Sequence, residues 1–277
     1  MISSKKYVDE TLKKYQLKAN PSLGQNFLVE EKIVDTMIAQ LLIHSDSTVL
    51  EIGPGLGALT EKLIQIAKHV YAIEIDSNMC KILSDTFKNC SNFTLIQTDF
   101  LKFDLARWLK TIDASSLFIV SNLPYYVTSA ILNKLIFQSI PFVSLMLMMQ
   151  KEVGKKLMQP QLKDTSPLHV ILSYRYELSI VEYVSKNAYL PRPNIDSIVL
   201  KITPKDPKIK AHNEEFFYLL IKQLFKERRK TLVNNLQVYF SSKEETIQFL
   251  NQLSISKEKR VEQLTLDEML LICNHLC

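Results

Sequence analysis

The sequence predicts an α/β fold, a parallel doubly wound sheet followed by a small C-terminal helical domain. Three observations predict it. Short apolar runs alternate with helically spaced segments from Thr48 to Met149. Three of only five glycines crowd into residues 53–57, between a strand and a helix. Beyond Pro204 the apolar residues recur only at helical spacing. A strand–helix alternation of this kind covers both faces of a parallel sheet, because each crossover helix returns over it.

The elements follow in order. The stretch to Lys18 carries Lys5, Lys6, Lys13, Lys14 and Lys18 against Asp9 and Glu10. Asn20-Pro21 stops any helix there, and the stretch reads as a mobile solvated tail rather than a defined contact. Ile33, Val34, Met37, Ile38, Leu41 and Leu42 mark an amphipathic helix. Thr48–Ile52 is a buried strand, Leu56–Ala67 a helix, Val70–Ile75 a strand, and Ser77–Phe87 a helix capped by Ser77. Phe93–Thr98 and Leu117–Ser121 are strands, Thr128–Phe137 a helix, and Phe142–Met149 a strongly apolar strand. After a helix at Leu168–Tyr174, Glu177–Val184 and Asp196–Ile202 close the sheet. Pro204-Lys205-Asp206-Pro207 reads as a linker, giving domains at 1–205 and 206–277.

A chain of 277 residues, 47% of them hydrophobic, has enough apolar surface for a substantial core. Its 23% of charged residues and lack of low-complexity tracts argue against dominant disorder. The net charge of +5 suits a polyanionic partner but fits a mildly basic enzyme equally well. Cys80, Cys90, Cys273 and Cys277 match no zinc spacing and read as reduced thiols. The histidines offer no pairing for a metal, and Trp108 reads as a packing residue. Residues 1–25 lack an apolar core and no run reaches the ~20 residues of a membrane span. The expectation is a cytoplasmic, monomeric protein with no metal and no membrane contact.

The glycine turn reads Glu51-Ile52-Gly53-Pro54-Gly55-Leu56-Gly57. Glycine after a strand permits positive φ and close ligand approach. The spacing is G-x-G-x-G, not that of nicotinamide enzymes, and no P-loop lysine follows. Glu74 ends the next strand, where a carboxylate can accept both hydroxyls of a ribose. Asp99 ends the third, where it can accept a cofactor's adenine amine. A tight turn with acids at strand ends is the plain structural alternative.

The fourth strand runs into Asn122-Leu123-Pro124-Tyr125-Tyr126. Strand C-terminal ends face the ligand crevice in such sheets. The Asn122 amide oxygen is an acceptor, and Tyr125 offers a flat face for a base taken out of its stack. An adenine amine is a poor nucleophile because its lone pair is delocalised. Two acceptors, Asn122 and a neighbouring backbone carbonyl, can hold its protons and turn the lone pair toward a methyl donor. Orientation and electrostatics then do most of the work. An ordinary loop is the alternative.

Taken with further segments, the chain closely resembles the ribosomal RNA adenine dimethyltransferase family, from about Leu23 to the C-terminus. Gly24-Gln25-Asn26-Phe27-Leu28 is similar to the family's N-terminal cofactor motif. Gly53, Glu74, Asp99 and Asn122 match its other cofactor positions. Met149–Val153, Tyr189-Leu190-Pro191-Arg192-Pro193-Asn194-Ile195-Asp196-Ser197 and Phe225–Leu232 match further family segments. Thr165–His169 departs from the family, lacking a glycine and an arginine common there, and Tyr189 replaces a phenylalanine.

The resemblance implies a class I S-adenosylmethionine-dependent methyltransferase, a Rossmann-like seven-stranded sheet with the helical domain behind it. It implies cofactor contacts from Asn26, Leu28, Gly53, Glu74, Asp99 and Asn122, with Asn122 and Tyr125 catalytic. It implies dimethylation of two adjacent adenosines near the 3′ end of 16S rRNA, in the small ribosomal subunit. Phe27 and Tyr189 are candidates to flank the target base, although Phe27 suits core packing equally. Lys226, Arg229 and Lys230 share a helical spacing, and with Arg228 they form a basic stripe for phosphates or a solvated face.

Two rivals remain. A large-subunit rRNA methyltransferase of the resistance type shares the cofactor motifs, but Arg228–Leu232 and Arg260–Leu264 argue against it. A largely non-catalytic assembly factor is opposed by intact Glu74, Asp99 and Asn122. A DNA adenine methyltransferase usually has proline at the position of Leu123.

Overall fold

The computed structural model describes residues 1–124, 126–158 and 165–277. They fall into two compact units. The first comprises Met1–Met158 and Leu178–Pro204, and the second joins the described residues of 159–177 to Lys205–Cys277.

The first unit is built on a seven-stranded sheet. Its strands are β2 (Thr48–Ile52), β3 (His69–Glu74), β4 (Phe93–Gln97), β5 (Leu117–Asn122), β6 (Ser144–Gln150), β7 (Tyr176–Val184) and β9 (Ser197–Pro204). They lie in the order β4-β3-β2-β5-β6-β9-β7. The pairs from β4 to β6 are parallel, and β9 runs antiparallel to β6. β1 (Phe27–Leu28) and β8 (Tyr189–Leu190) make a separate antiparallel ladder, with Phe27 opposite Leu190 and Leu28 opposite Tyr189.

The central strands are buried along almost their whole length because both faces are covered. Every residue of β2 is buried, and so is 117–121 of β5 and 144–149 of β6. One core cluster joins Val49, Val70, Phe118, Val120, Met146 and Val199 to Ile33, Val34, Met37 and Leu41 of α2 (Glu31–Leu41). α3 (Thr60–Ile66), α4 (Ser77–Thr86), α5 (Leu105–Leu109), α6 (Thr128–Phe137) and α7 (Lys151–Met158) complete the layers. The strand order reverses between β2 and β5, with β3 on the far side of β2 and β6 on the far side of β5. A crevice opens at such a switch point, outside the carboxyl ends of the strands.

Three local expectations change. The N-terminal stretch is not a tail: Lys5–Lys14 forms helix α1, with the Ser4 hydroxyl accepting from the Tyr7 N–H at 3.2 Å. Val8 and Ile2 are buried in a cluster with Phe27, Leu56, Met79 and Leu83, and the Ile2 N–H donates to Glu61 at 2.9 Å. The lysines occupy the outer face, so charge alone hid an amphipathic helix. Asp76 rather than Ser77 caps α4, accepting from the Asn78 N–H at 2.8 Å. α3 begins at Thr60, because residues 53–57 are spent on a turn with positive φ at all three glycines.

The second unit is helical: α8 (Pro167–Arg175), α9 (Glu214–Lys226), α10 (Leu232–Leu236), α11 (Lys243–Gln252) and α12 (Leu266–Leu276). Phe217, Leu220, Ile221 and Leu224 form the buried stripe of α9. Tyr174 of α8 packs edge-on against Phe217 at 5.0 Å between centroids. The buried Asn235 amide donates to the Leu224 carbonyl at 2.6 Å, satisfying the end of α9.

Candidate active site

A cleft of about 1120 Å³, counting its open mouth, lies where β2, β3 and β5 end. Asn26, Leu28, Gly53, Glu74, Asp99 and Asn122 all line it, together with Phe27. Six positions from five separate segments thus converge on one cavity. Tyr125 lies outside the described residues.

The glycine turn shapes the floor. Gly53, Gly55 and Gly57 have φ of 68°, 57° and 90°. A Cβ on Gly57 would stand 2.8 Å from the Phe87 ring, and one on Gly55 would meet the Phe27 ring at 3.4 Å. One on Gly53 would meet no atom within 4 Å and would project into the cleft that Gly53 lines. Gly57 therefore serves packing, Gly55 serves the positive φ of the turn, and Gly53 keeps backbone accessible to a ligand.

Two acids lie in or beside this floor under different constraints. Glu51 is buried, and the Thr60 hydroxyl donates to it at 2.6 Å. Burial is the main cause that pushes its carboxyl up to about 8, with the nearby Glu74 adding to it and Thr60 opposing it. Glu74 accepts backbone N–H bonds from Gly55 at 3.2 Å and from Ile75 and Asp76 at 2.9 Å. Burial raises its pKa and those three donors act against the rise. Asp99 uses one oxygen to accept from the Leu101 N–H at 2.8 Å, folding the 99–103 turn.

Asn122 ends β5, held in register opposite Met148. Its amide nitrogen approaches the Asn26 carbonyl at 3.5 Å, and the Asn26 amide donates to Gly24 at 3.1 Å. With that assignment, the Asn122 carbonyl oxygen remains an acceptor. Gly24, at φ 62°, lets its segment close on Pro124 and Tyr126: a Cβ there would stand 3.3 Å from the first and 3.4 Å from the second. The ladder of β1 with β8 fixes the same segment from its other side.

The target-base candidates separate. Phe27 is 7% exposed, sits in the cluster with Ile2 and Val8, and lines the cleft. Tyr189 is 2% exposed and packs in the core with Leu28 and Val184, away from the cleft lining. The basic stripe is also rearranged: α9 ends at Lys226, and Arg228, Arg229 and Lys230 lie in the exposed turn that follows. Arg228 pairs with Glu262 at 2.9 Å and Lys230 with Glu227 at 3.6 Å. The helix ends because residue 227 leaves helical geometry, at φ −117° and ψ 43°.

Several cleft residues carry no motif. Ile2, which precedes the first helix, Val8 on it, and Phe100, Leu101 and Ile131 supply apolar wall. Apolar walls around a few acids and one open glycine fit S-adenosylmethionine. The walls suit its adenine and thioether-like chain, and the acids suit its hydroxyls and amines.

The fold and this cleft define a class I S-adenosylmethionine-dependent methyltransferase. A model of the family described as "Ribosomal RNA adenine dimethylase" matches residues 16–277. The chain is 38% identical to the ribosomal RNA small subunit methyltransferase A of Clostridium botulinum, over 94% of each. It is 40% identical to the protein of the same name from Staphylococcus aureus, over 93% of this chain and 89% of that one. Its structure is similar to a dimethyladenosine transferase from Plasmodium falciparum, with TM-score 0.73, 25% identity and coverage of 88% of this chain and 95% of that one. The 23S rRNA methyltransferase ErmE shares the fold, with TM-score 0.65, 22% identity and coverage of 91% and 99%. The chain belongs to the ribosomal RNA adenine dimethylase family and is an S-adenosylmethionine-dependent adenine dimethyltransferase.

Proposed function

We propose that the enzyme places two methyl groups on N6 of each of two adjacent adenosines near the 3′ end of 16S rRNA, in the cytoplasm, during small-subunit assembly. The observation that carries this reading is the convergence of Asn122 with Gly53, Glu74 and Asp99 on one cleft at the switch point of the sheet. The names of the Clostridium and Staphylococcus relatives support the small subunit as the target.

Each residue has a role in this reading. Asn26, Leu28 and Gly53 hold the cofactor's amino-acid arm, Glu74 accepts from its ribose hydroxyls, and Asp99 accepts from its adenine amine. When bound, S-adenosylmethionine supplies an electrophilic methyl group on a sulfonium. Asn122 accepts a hydrogen bond from the target amine, and a backbone carbonyl of the 122–126 turn accepts the second. Together they hold the nitrogen pyramidal with its lone pair directed at the methyl carbon. The gain is electrostatic and orientational, so no strong base is required. Tyr125 stacks on the extruded adenine. Arg228, Arg229 and Lys230 form an exposed basic turn that contacts rRNA phosphates.

The test is methyl transfer from labelled S-adenosylmethionine to under-methylated small subunits, large subunits and bare DNA, followed by nucleoside analysis. The expected product is dimethyladenosine from small subunits. Label confined to large subunits would transfer the assignment to resistance-type chemistry. Cofactor binding with no label on any substrate would favour a binding factor in assembly.

A further inference from the structure

Lys134 lies on α6, the helix that follows the 122–126 turn. Its ammonium donates to three backbone carbonyls of one loop: Phe100 at 2.8 Å, Leu101 at 2.9 Å and Phe103 at 2.5 Å. An ammonium has three donors, so all are used on this one turn. The same nitrogen stands 5.3 Å from the centroid of the Phe100 ring. Carbonyl dipoles that converge on one point repel one another unless a cation lies among them. Inside the turn, the Asp99 carbonyl accepts from the Lys102 and Phe103 N–H groups at 2.9 and 3.0 Å, and the Asp99 side chain accepts from Leu101. Phe100 and Leu101 line the cleft beside Asp99. Burial pushes Lys134 below the usual lysine value, while the charges of Asp99 and Asp104 act to keep the proton on.

We propose that Lys134 is a positioning residue for cofactor recognition, stapling the 99–103 turn to α6 and thereby fixing where Asp99 presents its free carboxylate oxygen. The proposal rests on the reading of Asp99 as the acceptor for the cofactor's adenine amine. A lysine that merely supported the fold would weaken every ligand alike. A lysine that positions Asp99 acts on recognition of one amine.

The experiment compares binding of S-adenosylhomocysteine and its 6-deamino purine analogue by calorimetry, in wild type, Lys134→Met and Lys134→Arg. Circular dichroism checks the fold of each. Wild type is expected to prefer the amine-bearing ligand by about tenfold, the worth of one hydrogen bond to a charged acceptor. Lys134→Met is expected to lose most of that preference. Lys134→Arg falls between, because its planar fork keeps the charge without converging on three carbonyls. Should Lys134→Met not fold, Lys134→Gln is read the same way. A preference retained in full by the variant, whatever its absolute affinity, overturns the proposal. No preference in wild type overturns the Asp99 reading, and the role of Lys134 with it.

Discussion

Asn122 ends β5 and Glu51 sits one strand over on β2, where Glu51 pairs in register with Val120. The two respond to different probes. Asn122 is only partly buried and makes one long hydrogen bond, so Asn122→Ala costs little stability, on the order of 0.5 kcal/mol. Its loss removes an acceptor aimed at the reacting amine, and kcat is expected to fall about 10²- to 10³-fold. Single-turnover assays beside thermal melts check this, and near-normal turnover would remove Asn122 from the mechanism. Glu51 acts on stability. Its folded pKa of about 8 lies above the usual 4.5, so the folded state holds a proton that the unfolded state releases. Stability from this group is whole below about pH 4.5 and is lost as pH rises through 8. The cofactor-free protein is expected to melt at lower temperature at pH 8.5 than at pH 5. Glu51→Gln should flatten that slope, and an unchanged slope in the variant would place the titration elsewhere.

At the scale of elements, the glycine turn divides its labour. Gly57→Ala meets both positive φ and a Phe87 ring at 2.8 Å, and is expected to destabilise by about 2 kcal/mol or more. Gly53→Ala meets only the φ penalty, about 1 kcal/mol, but fills space in the cleft and should abolish S-adenosylhomocysteine binding. Melting curves and calorimetry on both variants test the division, and equal losses of affinity at matched stability would contradict it. The turn, its acids and the strand–helix alternation were legible because they depend on local spacing. The pairing of β1 with β8 was not, since it joins residues 27–28 to 189–190 and no local pattern encodes so distant a partner. That ladder buries Tyr189, which sequence alone left free to stack. α1 was missed for another reason: its lysines dominate the composition, while its inward face is only Val8 and Thr11 with the partly buried Tyr7 and Leu12. The end of α9 at Lys226 likewise follows from backbone geometry rather than residue type.

At the scale of the molecule, the second unit is assembled from two separated stretches. α8 precedes the last strands of the sheet but belongs with α9 and α12. The Tyr174 hydroxyl donates to Glu214 at 3.2 Å and accepts from the Ala211 N–H at 3.1 Å. A chain ending at Pro204 would keep α8 and lose these partners, uncovering Ile171, Leu172 and Tyr174. It is expected to bind a hydrophobic dye and to melt about 5 °C lower or more. A truncated chain with no dye signal and an unchanged melting point would show that α8 is self-sufficient.

The order of strands also bears on synthesis. β7 leaves the ribosome before β9, yet β9 is the strand that seats between β7 and β6. Until Pro204 has emerged, β7 has no neighbour in its sheet, and β6 has a bare edge on that side. At cellular elongation rates this interval is on the order of a few seconds. The seam of the sheet is therefore its last-made strand, and until it is made the edges of β6 and β7 are open to pairing with a strand from another chain.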